Sequence, residues 1–125
     1  MFLRVPAYLA ETRERARAEA EESLMSFFRY QAELGRDSAR RAGGEAALQR
    51  LRRVERLEAL TYEEALATQV LIDEPNGFTA RLREVEEEIG LDGILAELNC
   101  GGQIPQDRVL NALKLLCEEV KPRFN

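Results

Sequence analysis

Histidine is absent from this chain of 125 residues, and with it go the commonest general base and the commonest metal ligand at neutral pH. Only two cysteines occur, Cys100 and Cys117. They form neither a disulfide framework nor a CxxC pair, which fits a reducing, cytoplasmic setting. Glycine and proline are scarce, 8 and 4 residues, excluding collagen-like and loop-dominated architectures. No apolar run approaches the ~20 residues of a membrane span, and the start, Met1-Phe2-Leu3-Arg4-Val5-Pro6, carries no signal-peptide core. An excess of positive charge is missing too. The net charge is -5, the reverse of the balance with which nucleic-acid binders neutralise phosphate. Lysine is confined to Lys114 and Lys121, so the basic residues are nearly all arginine, a compositional bias without functional meaning.

What remains is 45% hydrophobic and 33% charged, the make-up of a single globular domain over residues 1–125 with one modest core. Residues 2–10 are short, aromatic and branched and predict a strand, at a sheet edge or irregular at Pro6, which cannot donate to a ladder. Ala16, Ala20, Leu24, Phe27, Phe28 and Leu34 recur at helical spacing after a Thr12 N-cap, with Gly35 as the residue that ends the helix. Arg36 to Gly44 reads as a polar loop. A second helix follows from Glu45 to Leu60, with Leu48, Leu51, Val54 and Leu57 inward. Thr61-Tyr62-Glu63-Glu64 is a capping box opening a short helix to Ala67.

From Gln69 the grammar changes. Gln69-Val70-Leu71-Ile72 is a short apolar run, and Asp73 to Gly77 a turn. Phe78, Leu82, Val85 and Ile89 share a helical face that Gly90 ends. Gly93 to Leu98 predicts a strand and Asn99 to Ile104 a loop. Pro105 opens a last helix whose buried stripe is Val109, Leu110, Leu113, Leu116, Cys117 and Val120, and Pro122 stops it. Strand, helix, strand, loop, helix is the βαβα order of a parallel sheet. The fold class is therefore α/β, mostly helical, with two or three short parallel strands, too few to cover one another comfortably.

Chemistry has few places to reside. Asn99-Cys100-Gly101-Gly102-Gln103-Ile104-Pro105 lies between a strand's carboxyl end and a helix start, where α/β folds place ligands. The alternative is a tight βα turn that needs glycine for positive φ. Cys100 is a nucleophile candidate with no histidine to activate it and acids nearby, so it reads as a packing residue; Cys117 reads as core. Glu84, Glu86, Glu87 and Glu88 lie opposite the apolar face and read as a solvated surface rather than a metal site. Arg36 to Leu60 holds seven arginines against four acids, 7 − 4 = +3, which reads as an exposed helix laced with i,i+4 pairs, the alternative being a contact to a phosphate or an acidic partner.

Three segments together resemble the C-terminal part of the luciferase-like flavin-dependent monooxygenases. They are Tyr8-Leu9-Ala10-Glu11-Thr12 with its alanine- and glutamate-rich helix, Leu60 to Glu64 with Asp73-Glu74-Pro75 and the helix behind it, and Leu91 to Pro105 closing on Glu118-Glu119-Val120-Lys121-Pro122-Arg123-Phe124. The resemblance spans nearly the whole chain but only the last third of a (β/α)8 barrel, which takes ~250 residues. It implies a partial TIM-barrel segment: residues 2–60 a strand plus helical excursion, residues 61–125 the last βα units. It further implies reduced FMN as cofactor, O2 and a small organic substrate as reactants, and a flavin pocket lined from this chain only by Asn99, Gly101 and Gly102. No catalytic residue and no metal ligand is assigned. The chain alone is expected to be inactive and to need the missing barrel half or another copy of itself. The rival expectation is a non-catalytic helical interaction or dimerisation module, with no nucleic acid and no membrane involved in either case.

Overall fold

The first strand, β1 (Phe2–Leu9), is the centre of the sheet and not its edge. In a computed structural model describing residues 1–124, it is followed by α1 (Arg13–Ala42), α2 (Gly44–Ala59), α3 (Tyr62–Thr68), β2 (Leu71–Asp73), α4 (Pro75–Ile89), β3 (Gly93–Glu97) and α5 (Gln106–Leu115). The last helix runs on through a π-helical turn, Leu116–Val120, and a 3-10 turn, Lys121–Phe124. The three strands form one parallel sheet in the order β2-β1-β3. The fold is the expected one, a mostly helical part of a TIM-barrel-like α/β architecture.

Pro6 is tolerated in the central strand because the two ladders are staggered. β3 pairs with Phe2 to Pro6, and β2 pairs with Ala7 to Leu9. No β2 residue faces position 6, so nothing on that side misses the N–H that proline lacks. The same stagger leaves Phe2 to Pro6 without a neighbour on the β2 side, and the outer edge of β3 is free as well.

Alternation sets the two faces of the sheet. Leu3, Val5, Ala7 and Leu9 join Ile94 and Ala96 in the core with Phe78, Leu82, Leu116 and Val120 from the carboxyl-terminal helices. The opposite face carries Phe2, Arg4 and Pro6 in register with Gly93, Leu95 and Glu97, and Tyr8 in register with Ile72. Its amino-terminal half is open: Phe2 is 68% and Leu95 61% exposed, and Arg4 pairs with Glu97 across it. Its carboxyl-terminal half is closed by α1, with Ala20 and Leu24 against Pro6, Tyr8 and Ile104.

Local chemistry starts and stops the helices largely as read. Thr12 Oγ1 accepts from Arg15 N at 3.1 Å and Thr61 Oγ1 from Glu64 N at 3.2 Å. The Glu74 carboxylate accepts from Asn76 N and Gly77 N at the head of α4, and Gly90 ends α4 in the left-handed region at φ 66°.

Two readings need correcting. Gly35 does not end α1, and Arg36 to Ala42 is helix rather than loop. At Gly35 a Cβ would stand 2.6 Å from Val54 Cγ2, so this glycine marks where α2 folds back and packs closest. The real breaker is Gly43, at φ 68°. The apolar stripes of α2 and α5 are also narrower than predicted. Val54 is buried and Leu57 half-buried, while Leu48 and Leu51 are exposed; in the last helix Ala112 and Val120 are buried, while Leu110, Leu113 and Cys117 are exposed. Each of these two helices packs on one narrow side, so a broad stripe spills onto surface. Cys117 is therefore not core. Native protein is expected to lose one thiol quickly to a disulfide reagent, Cys117, and the second, half-buried Cys100, only slowly; thiol release over time with a Cys117→Ser control checks this. Among the described residues no helix is long and apolar enough to cross a membrane.

Candidate functional site

The loop after β3 is shaped by its own side chains and by α1. Asn99 Oδ1 accepts from Ile104 N at 3.0 Å, and its Nδ2 donates to Ile104 O at 3.3 Å, so one amide closes the loop at both ends. Gly102 N donates to Asn99 O at 2.9 Å. Ser23, buried in the middle of α1, inserts from above: its Oγ donates to Cys100 O at 2.6 Å and accepts from Gln103 N at 3.1 Å. A hydroxyl in the Ala16–Ala20–Leu24 stripe is thereby satisfied, as a buried polar group requires.

The two glycines do different work. Gly101 lies at φ 92°, and a Cβ there would fall on the carbonyl oxygen of Ser23, inside any real contact distance. It is the place where α1 and the loop touch backbone to backbone. Gly102, at φ 69°, has open space around it. Cys100 is half-buried with Sγ 3.1 Å from Glu97 Oε2, and burial pushes its thiol up. A thiol so raised is a poor nucleophile, which suits a packing residue. Glu84, Glu86, Glu87 and Glu88 are all exposed on α4.

Beside the loop lies a polar cluster that joins β1, α1 and α5. Arg108, in the first turns of α5, donates Nε to Glu19 Oε2 at 2.8 Å and Nη2 to Glu11 Oε2 at 2.8 Å. Asn111 Nδ2 donates to Glu11 at 3.1 Å, and Tyr8 Oη reaches Glu19 at 3.3 Å from the carboxyl end of β1. The Arg108 hydrogen bond, chiefly, holds the Glu11 carboxyl down at about 2. Burial first, then the Glu19 charge, lifts the Tyr8 hydroxyl to about 12.

These shifts fix the sign of the pH response. Glu11, depressed from its ordinary 4.5, contributes stability that is complete above about pH 4.5 and is lost as pH falls towards about 2. Tyr8, raised from 10.0, contributes stability that is complete below about pH 10 and is lost as pH rises towards about 12. Urea midpoints measured against pH are expected to fall at both ends, with the alkaline fall reduced in Tyr8→Phe.

Ser23, Glu11, Glu19 and Arg108 escaped the sequence reading. Ser23 alone left a signal, a polar residue at helical spacing within an alanine-leucine stripe. The charged residues looked like surface, and only the fold brings Arg108 to residues 89 and 97 positions away.

No protein-family profile matches the chain, and no curated protein matches it. Among solved structures it is similar to the oxygenating constituent of 3,6-diketocamphane monooxygenase from the CAM plasmid of Pseudomonas putida, described as a type II Baeyer-Villiger monooxygenase in complex with FMN. The two superpose with a TM-score of 0.68 at 16% identity, over 98% of this chain and 33% of that one. This chain thus spans about a third of the length of the structure it matches, and at that identity the likeness establishes the fold.

The loop offers no cradle for a phosphate. The N–H groups of Gly102, Gln103 and Ile104 are all bonded within the loop and α1, so they do not bind a phosphate. Gly102 has open space beside its Cα, and Asn99 and Gly101 hold the loop from behind.

Proposed function

We propose that this chain forms the C-terminal third of a luciferase-like flavin-dependent monooxygenase, with FMN and a small organic substrate bound at the carboxyl ends of the barrel strands. The observation that carries the reading is the match of 98% of the chain to one third of an FMN-bound monooxygenase. A parallel sheet open on both flanks and on half of one face supports its being part of a larger sheet. Gly102 contacts the flavin on this reading, while Asn99 and Gly101 hold the loop in place. Reduced flavin supplies the electrons for oxygenation. On this reading the residues of this chain provide a wall and exclude water.

Two measurements test this. Alone, the chain is expected not to retain FMN through gel filtration; joined to a polypeptide carrying the preceding strands of such a barrel, it is expected to retain the flavin and to oxidise it with O2. Stoichiometric yellow flavin on the isolated chain would overturn the incompleteness, and a folded but colourless reconstituted barrel would overturn the flavin reading. A stable colourless dimer of the chain alone would favour the interaction module instead.

A further inference from the structure

Among the described residues, two stretches of strand edge are long and unpaired: Phe2 to Pro6 on β1, and the whole outer side of β3. The first carries Arg4 and Pro6, residues of the kind that deter another strand. β3 reads Gly-Ile-Leu-Ala-Glu, with no lysine, no proline and no bulge in its ladder. Its central residue, Leu95, is exposed, as is Phe2 of the neighbouring strand, whose ring lies against Gly93.

Pro6 fixes which backbone groups of β3 face outwards. Having no N–H, it cannot bond to β3, so the ladder there runs through Val5 and Ala7 on β1 and through Leu95 and Glu97 on β3. Alternation then turns the N–H and C=O of Ile94 and Ala96 to the outside. No turn, cap or loop bond among the described residues reaches them.

A second copy satisfies all of these groups at once. Antiparallel pairing about a two-fold axis at Leu95 sets Ile94 against Ala96 of the second copy, and the reverse, and both are hydrogen-bonded pairs. Leu95 then meets Leu95 of the second copy in a non-hydrogen-bonded pair, where side chains approach most closely. Glu97 lies opposite Gly93 of the second copy, so no two acids face each other. Each chain spends the same edge on the contact, so assembly stops at two.

We propose that a second copy of this chain docks edge to edge on β3, antiparallel and centred on Leu95, as a reversible dimer. The contact is smaller than a standard interface, so the dimer comes apart on dilution, unlike a stable dimerisation module. The proposal does not rest on the flavin reading, because the same edge stays open to a barrel strand wherever one is joined to the chain.

Sedimentation equilibrium of the full chain tests it. The mass is expected to rise from one chain towards two between about 1 µM and about 1 mM. Leu95→Lys sets like charges face to face and is expected to weaken the dimer about tenfold or more. Leu110→Lys, on the exposed side of α5, is expected to leave it unchanged. In a Cys117→Ser chain, Leu95→Cys is expected to form an intermolecular disulfide readily and Phe2→Cys is not, since Phe2 stands one strand further from the axis. A monomer throughout the range overturns the proposal. So does growth beyond two copies, an equal loss in Leu110→Lys, or a disulfide forming as fast at position 2 as at position 95, because each places the contact elsewhere.

Discussion

Gly101→Ala is expected to destabilise the chain by about 3–5 kcal/mol, enough to unfold much of it at room temperature. Two costs add. At φ 92° an L-residue sits in the left-handed half of the map, a strain of about 1–2 kcal/mol. The new methyl also meets the Ser23 carbonyl, a backbone atom of α1 that no rotamer change can move aside. To relieve the clash α1 must lift from the loop, breaking the Ser23 bonds to Cys100 O and Gln103 N. Gly102→Ala is the matched control. It bears a similar dihedral strain, φ 69°, with open space around it, and is expected to cost about 1 kcal/mol. Urea unfolding followed by circular dichroism separates the two; equal losses would mean that α1 does not lie against this loop.

The second large effect is expected at Arg108. Its side chain is 19% exposed and that of Glu19 20%, so the pair is nearly buried, whereas Glu11 is 45% exposed. Arg108→Met retains the stem but leaves Glu19 with only the longer, half-exposed Arg15 pair at 3.6 Å. Removing one partner of a buried pair costs about 3–5 kcal/mol, and the residual solvent at this cluster lowers the expectation to about 2–3 kcal/mol. Glu19→Gln should cost less, because Arg108 then keeps Glu11. The substitution also carries a signature that loss of packing would not produce. With Arg108 gone, Glu11 loses the largest cause of its lowering and keeps only a backbone hydrogen bond and the Arg15 charge, so the fall of stability between about pH 4.5 and 2 is expected to become shallower. A steep acid fall surviving in Arg108→Met would assign it to other carboxylates.

Local structure was legible wherever the cause was local. The Thr12 and Thr61 caps, the Gly90 stop and the alternation of strand and helix after Gln69 rest on contacts within a few residues, and the structure bears them out. Gly35 was misread because a glycine followed by charged residues looks the same whether it ends a helix or admits Val54 from a helix a turn away in space. The exposed Leu110, Leu113 and Cys117 were misread for a related reason. Periodicity states which face is apolar and says nothing about how wide a partner covers it.

The loop at Asn99-Cys100-Gly101-Gly102 shows both limits. Its place between strand and helix, and its need for positive φ, follow from sequence, since only glycine adopts those dihedrals at little cost. That Gly101 faces a helix backbone and Gly102 faces open space was decided by tertiary structure alone. So were the central position of β1, the Arg108 cluster and the free outer edge of β3. Each depends on residues far apart in the chain. Their attraction or exclusion acts only once the hydrophobic faces of α1, α4 and α5 have buried themselves on the sheet and fixed the distances between them.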